Sequence, residues 1–483
     1  MIVGAGQVTR RDGEDVTPLG LMVDAARAAL EDAGAPGLAA RLDSIAVTDC
    51  FSWPVPDPGR VLAAELGAEP RETVRSAIGG TGPIELLRDA GRRIAAGELD
   101  VALLAGGEAA RSLLQGRYTG GPEQPAGSEP TRMVGKNRPQ SHAAEEAAGL
   151  FLPIAYYPLF EHALRAAAGR GREEHAASLG RLWARLAAVA AGNPYAWATT
   201  TPDAETIATA RPGNRLVADP YTKLMTANIY VDQGAALVVC SAEAARAAGI
   251  PPERWVFLTA TAGAHDHWFA VERDALHRSP AIAACGRAAL GHAGAGIDDV
   301  AHLDLYSCFP CAVEIAAAEL GLDLENDPRP PTVTGGLTFA GGPASNYPMH
   351  SLAALTGRLR ADGAGHGLAT GVGWFMTKHA TAILSATPPA RPFGDFDVQA
   401  EVDALPRREA AGADAAASAP VESYTVVYDA TGAPSTAIVS ALLDDGRRAL
   451  ARSDDPDTMA ALRDEDPIGT RVRLDGARFA LAS

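Results

Sequence analysis

The stretch that most limits what this chain can fold into is residues 73–107, TVRSAIGGTGPIELLRDAGRRIAAGELDVALLAGG. A short apolar strand over residues 74–78 runs into the pair Gly79-Gly80. A helix is expected next, with Thr81 as candidate N-cap, Pro83 in its first turn and Ile84, Leu87 and Ile94 at helical spacing; Gly97 stops it. A second strand, residues 101–105, is apolar without alternation and ends in Gly106-Gly107-Glu108. Strands apolar on both faces belong to a sheet covered on both sides, so strand–helix–strand implies a parallel pair joined by a right-handed crossover. The N-terminus of such a helix is where this unit presents a nucleophile or holds an anion. Here the turn offers neither Cys nor Ser, only two glycines.

The flanking sequence extends the same rhythm. Strands at residues 1–7 and 42–48 alternate with helices at 19–33 and 59–66, which predicts a parallel, doubly covered sheet. Residues 111–220 break the pattern as an insertion expected to pack over the sheet and shape a binding groove. It holds a Gly- and Pro-rich loop (112–138), helices at 143–148, 158–168 and 173–191, and a polar segment at 193–212. The rhythm resumes with a strand at 229–240, interrupted near Gly234, and a helix at 242–248. Residues 254–388 repeat the architecture, with strands at 255–260, 302–306, 367–372 and 381–385 and helices at 279–290, 312–320 and 349–359. The turn at 307–310 reads as the second-half counterpart of Gly79-Gly80. After a proline-containing linker (388–393), β-type patterns at 398–404, 421–429, 437–443, 447–451 and 471–481 predict a small antiparallel β-barrel. The turn Asp444-Asp445-Gly446 marks a hairpin, and the small-residue run 410–419 reads as a flexible loop. The expected domains are therefore 1–250 with its insertion at 111–220, then 251–388, then 394–483.

A net charge of −17 argues against a nucleic-acid partner, because phosphate binding needs clustered Lys and Arg. No apolar run approaches the roughly 20 residues of a membrane span. The five cysteines are an odd, scattered set, which points to a reducing cytoplasm. Cys308 and Cys311 have C-x-x-C spacing, yet no second ligand pair lies near them; they read as buried packing residues, and no metal site is expected.

The phrase DVALLAGGEAA after a strand–turn–helix, two βαβαβ-type halves and the long insertion between them together resemble the thiolase superfamily. The likeness is nearest to sterol-carrier-type and actinobacterial thiolase-like proteins with an extra C-terminal β-domain. It implies an α/β thiolase fold layered α-β-α-β-α, carrying a C-terminal antiparallel β-barrel. It also implies coenzyme A or an acyl-CoA as ligand, in lipid or acyl-CoA metabolism. Laid on the family's four catalytic stretches, Gly79 stands at the nucleophilic Cys, Tyr306 at the Asn or His of the second motif, Gly342 at the His of Gly-His-Pro and Gly371 at the Cys of Cys-x-Gly. A glycine forms no acyl-enzyme. The resemblance thus implies something other than an ordinary acetyl-CoA acetyltransferase.

Tyr306 and Tyr347 are the candidate acid/base residues for non-covalent carbon–carbon chemistry of the retro-aldol type, with backbone N–H groups holding the enolate. The plainer reading makes Tyr306 a core residue and Tyr347 a capped loop residue. His350, eight residues past Gly342, is a third candidate. Lys378 and His379 follow the last glycine turn, facing either the pocket or solvent. Gly80, Thr81, Gly341, Gly342, Arg132, Lys136 and Arg138 are the candidate CoA contacts, with Arg215 and Lys223 as further phosphate candidates. Glu108 is expected to bond backbone N–H groups. The alternative function is a catalytically inactive acyl-CoA-binding or partner-scaffolding protein, as a monomer, a homodimer or with a protein partner.

Overall fold

The computed structural model describes residues 1–12, 16–118, 124, 128–412 and 416–481. Two mixed sheets lie face to face. The first has the order Ile2–Thr9, Asp232–Cys240, Val101–Ala109, Ser44–Val47, Glu72–Ser76, Arg132–Val134. The strands flanking the double-glycine turn are parallel, with Ser44–Val47 between them. The sheet is not wholly parallel, however: Asp232–Cys240 runs antiparallel to both its neighbours. That strand is unbroken at Gly234, where a side chain would overlap the Leu21 carbonyl.

The second sheet runs Val300–Asp304, His366–Gly373, Lys378–Ser385, Phe257–His265, Gly394–Asp397, again with one antiparallel strand, Lys378–Ser385. Val300–Asp304 sits beside His366–Gly373 as Ser44–Val47 sits beside Val101–Ala109. The turn at 307–310 is therefore the counterpart of the turn after Ser44–Val47, not of Gly79-Gly80.

Period-two alternation explains the layers. Along Val101–Ala109, Ala102 and Leu104 enter one core while Val101, Leu103 and Ala105 enter another. The first core is the centre of the molecule. There the helices Gly82–Ala95 and Tyr347–Asp362 are clamped between the sheets by Ile84, Leu87, Met349, Leu352, Ala369 and Leu384. Helices Pro18–Asp32 and Pro58–Leu66 cover the outer face of the first sheet, and Pro280–Ala293 and Pro310–Leu320 that of the second. The result is the α-β-α-β-α sandwich.

The C-terminal strands close a five-stranded barrel: Ala416–Tyr428, Pro434–Leu442, Arg448–Ser453, Arg478–Leu481, Arg471–Asp475 and back to the first. Arg448–Ser453 and Arg478–Leu481 pair parallel, so the barrel is not purely antiparallel. One strand reading and one loop reading are corrected here. Residues 399–403 form a short helix, Gln399–Asp403, and Ala416 to Ala419 open the longest barrel strand rather than continuing a loop; residues 413–415 of that run lie outside the described residues. The hairpin at Gly446 forms as expected, with φ +86° at that glycine.

The insertion binds barrel and sandwich together. Its first long helix, Pro153–Ala167, begins five residues earlier than Pro158 suggested and packs against Ala416–Tyr428, where His162 stacks on Tyr424 at 4.1 Å. Fully buried Arg448 forms a bidentate pair with Glu422 (2.7 Å each) and donates to the Ala270 and Val271 carbonyls. Between the insertion helices and Pro310–Leu320 lies a buried polar knot. Glu161 accepts from His175 Nε2 (2.7 Å) and the Tyr221 hydroxyl (2.7 Å), and shares a hydrogen bond with Glu314. Burial, then the Glu161 charge, push the Glu314 carboxyl well above the usual range. A carboxyl raised on folding stabilises below its unfolded pKa and loses that contribution as pH rises. Glu314→Gln, which cannot ionise, is therefore expected to match the wild type near pH 4.5 and to exceed it in stability by a margin that grows as the pH rises toward 8. Urea unfolding at both values checks this; parallel pH profiles would show that Glu314 folds ionised.

Candidate active site at the double-glycine turn

Strand Glu72–Ser76 turns through Gly79, whose φ of +122° lies where side chains are strained. The Gly82 N–H closes the turn on the Gly79 carbonyl at 3.0 Å, and the helix starts there. Thr81 is already helical and makes no side-chain cap bond, so it does not act as the expected N-cap. The Gly79 N–H donates to Ser345 Oγ at 3.1 Å, tying the turn to the start of the other central helix. A Cβ on Gly79 would sit 3.1 Å from the Gly373 Cα and 3.3 Å from Lys378 Nζ; one on Gly80 would overlap the Tyr306 ring. Gly371 is packed as tightly on the Gly80 carbonyl. Both halves of the molecule thus meet at this turn through backbone.

Lys378 is the charged group at that meeting point. Period-two alternation sends it toward the turn and His379 to the opposite face, where the imidazole meets Asp266 Oδ2 (3.1 Å) and the Met376 carbonyl (3.0 Å). The ammonium donates to the Ile78 carbonyl and, at 3.4 Å, to that of Lys136; it lies 5.7 Å from the Trp374 ring centre. Only 7% of Lys378 is exposed. Burial lowers its pKa to about 8, against the opposing pull of Glu85 and Asp49. The connection that presents it is strained, with Trp374 at φ +55° and Met376 at +54°. Tyr157, donating to the Trp374 carbonyl (3.1 Å), and Arg273, donating to that of Phe375 (2.8 Å), hold it in place.

The structure brings some of the sequence candidates together and separates others. Tyr306 lies against Gly80, buried, and its hydroxyl takes no hydrogen bond among the described residues. Burial raises that phenol's pKa. Tyr347 meets the Tyr306 ring edge-on at 5.6 Å, but its hydroxyl is engaged by Thr334 Oγ1 (2.6 Å) and Asp304 Oδ1 (3.1 Å). Asp304 also accepts from Thr332, Ser351 and two backbone N–H groups, so Tyr347 belongs to the knot that anchors Val300–Asp304. His350 points to Gln7 of the first strand (2.9 Å), and burial lowers its pKa to about 3. Gly341, φ +109°, packs on Gln233, and the Gly342 N–H donates to the Asn228 carbonyl. Glu108 accepts from Phe51 and Ser52 as expected, and Cys308 and Cys311 are buried free thiols.

A cavity of about 400 Å³ opens beside the turn, lined by Thr81, Glu85, Arg88, Lys136, Trp268 and Lys378 among others. Most of its cations are committed: Arg88 to Asp395 (2.7 Å), Arg92 to Asp89 (3.1 Å), and Arg132 to Asp89 (2.6 Å) and Glu72 (3.3 Å). Arg138 lies over the Trp268 ring at 4.7 Å. Arg215 donates to the Leu216 carbonyl, and Lys223 is exposed in a short turn. Two lining cations have no ion pair among the described residues, buried Lys378 and exposed Lys136. Sequence reasoning missed Ser345, Glu85 and Asp49. The 3.6-residue spacing of Thr81, Glu85 and Arg88 on one helix face was the available signal for Glu85.

Two outcomes follow. Tyr347→Phe is expected to lower stability by about 1.5 kcal/mol, the worth of one hydrogen bond to a buried charge, while leaving ligand binding unchanged; urea unfolding and calorimetry together separate those effects. Gly79→Cys is expected to form no acyl-enzyme with acetyl-CoA in intact-mass measurements, since its side chain enters a strained φ region against Lys378.

Residues 397–477 match the family model described as the thiolase-like protein type 1 additional C-terminal domain. No curated protein sequence is significantly similar to the chain. Among solved structures, a monomeric SCP2-thiolase-like protein type 1 from Mycobacterium smegmatis superposes with TM-score 0.85 at 34% identity, covering 100% of this chain and 98% of that one. The Ltp2-ChsH2(DUF35) aldolase gives 0.62 at 20% identity, covering 81% of this chain and 98% of its own. An acetyl-CoA acetyltransferase from Syntrophomonas wolfei gives 0.58 at 17%, covering 80% and 98%. The last two share the fold.

Proposed function

The chain belongs to the SCP2-thiolase-like proteins of type 1, within the thiolase superfamily, and from that premise we propose that it binds a coenzyme A thioester without forming an acyl-enzyme. The observation that carries this reading is the double-glycine turn. Gly79 and Gly80 leave backbone alone at the helix N-terminus, with Lys378 against one glycine and Tyr306 against the other, so the turn itself offers no thiol or hydroxyl to take an acyl group. Gly342 and Gly371 likewise leave the third and fourth catalytic stretches of a thiolase without side chains. The catalytic residues of an ordinary acetyltransferase are absent from all four stretches in this reading.

The groups left for chemistry are the Tyr306 hydroxyl, the Lys378 amine and the Ser345 hydroxyl that already accepts from the turn. They suit proton transfer at a carbonyl compound, as in non-covalent cleavage or formation of a carbon–carbon bond. The name of the Ltp2-ChsH2(DUF35) aldolase is consistent with such chemistry on this fold. Lys136, at the cavity rim and free of any ion pair among the described residues, is the residue placed to meet a ligand phosphate, whereas Arg132 is held by two carboxylates. Strand Arg132–Val134 occupies the sheet edge beside Glu72–Ser76, and the relative from M. smegmatis is described as monomeric; both support a monomer. A second reading, thioester binding without turnover, is favoured by the Tyr306 ring closing the Gly80 side of the turn.

Calorimetric titration with coenzyme A and short acyl-CoAs tests the proposal. Thioester binding is expected in the wild type. Lys136→Ala should weaken it about tenfold, the 1.4 kcal/mol of a lost phosphate contact. The absence of heat with every CoA species would overturn the ligand assignment.

A further inference from the structure

Of the 42 Lys and Arg residues in the chain only three are lysines, Lys136, Lys223 and Lys378. The others are all arginines. The chain places a lysine at its most enclosed cationic position beside the turn, where two glycines make room for it. Gly373 is the cross-strand partner of Lys378, and a side chain there would overlap the lysine stem. Gly79 opens the space at the amine itself. The strained connection from Trp374 to Met376, clamped by Tyr157 and Arg273, fixes the strand that carries the amine. Such strain gathers where a side chain must be presented in one position.

We propose that Lys378 is a reactive amine that captures a ketone or aldehyde as an imine beside the double-glycine turn. The inference rests on the thioester reading only for the rest of the substrate; with that reading, the class is a β-ketoacyl thioester, whose keto carbon is the electrophile. The neutral amine attacks that carbon, a C–N bond forms, and a proton passes from nitrogen to oxygen to give a carbinolamine. The acid form of Glu85 gives a proton to the carbinolamine hydroxyl, water leaves as the C–N double bond forms, and the product is the protonated imine, an electron sink for breaking or making the adjacent carbon–carbon bond. No oxidant or reductant is consumed. The proton carrier is Glu85, which lines the same cavity; it and Asp49 are the carboxylates acting on the amine, and they are themselves paired with Arg88 (3.2 Å) and Arg75 (3.7 Å). Burial lowers the lysine's pKa to about 8, so a useful fraction is neutral at physiological pH.

The scarcity of lysine makes the test clean. Full-length protein is incubated with the N-acetylcysteamine thioester of acetoacetate, which has the β-ketoacyl group without the nucleotide, and with cyanoborohydride. Intact mass and peptide mapping then locate the reduced adduct. Labelling is expected on Lys378 at least tenfold faster than on exposed Lys223, and Lys378→Met should lose it while Lys223→Arg keeps it. Should Lys378→Met not fold, the wild-type rate against pH decides: a midpoint near 8 supports the proposal, and one above 10 overturns it. Equal labelling of the three lysines, or labelling of Lys136 and Lys223 alone, also overturns it. Labelling of Lys378 in a protein that binds no CoA species sinks the thioester reading and leaves the amine standing.

Discussion

The approach of Gly79 to Gly373 is the contact on which the rest of the structure depends. Each glycine ends a strand-derived segment of a different sheet, and both central helices, Gly82–Ala95 and Tyr347–Asp362, begin at or beside this point. Two sheets sharing one middle layer must bring their strand ends close over the helix N-termini. Any side chain on either glycine would push the sheets apart or displace Lys378. The apolar middle layer supplies the driving force, through full burial of Ile84, Leu87, Met349 and Leu355. The glycines determine how closely that layer can shut.

That closure explains why the insertion and the barrel are built as they are. The outer face of the second sheet is covered by helices Pro280–Ala293 and Pro310–Leu320, and the insertion packs against these in turn. Tyr157 stacks on Phe309 (4.3 Å), and Tyr156 on Phe375 (3.8 Å). Phe375 lies in the strained connection that leads to Lys378. The insertion helix Pro153–Ala167 therefore supports the site from behind while packing on the barrel with its other face. Arg448 completes this arrangement, since its buried bidentate pair with Glu422 is satisfied only when carbonyls of the 270–274 segment are in reach. Barrel, insertion and second sheet are mutually dependent.

The architecture was legible in the sequence because it rests on local signals: apolar runs for doubly buried strands, Pro and Gly at helix ends, and a change of period after residue 388. What was not legible depends on pairing. The lone antiparallel strand in each sheet looks like its parallel neighbours, because burial on both faces makes the patterns alike. The parallel pair in the barrel and the true counterpart of the 307–310 turn are likewise matters of strand order. At the site, the glycines were visible and their neighbours were not. Tyr306 lies against Gly80, and nothing local tells that the Tyr347 hydroxyl is taken by Asp304, forty-three residues away in sequence. Lys378 was named, but its enclosure comes from Gly79 and Gly373, far apart in the chain.

The same geometry sets two chemistries against each other. A side chain at position 79 would crowd the Lys378 amine, which lies 3.3 Å from where its Cβ would be, and a cysteine opposite it at 371 would overlap the Gly80 carbonyl. A sequence that moved from a thiol to an amine at this point would have to lose both side chains together and gain the lysine from the neighbouring strand. The present chain has all three features. Its lysine sits among backbone carbonyls in a site that excludes most water, where an ammonium is held less firmly than in solution and an amine is correspondingly easier to free. An arginine in its place would stay protonated at any physiological pH, so a free amine at this point requires lysine.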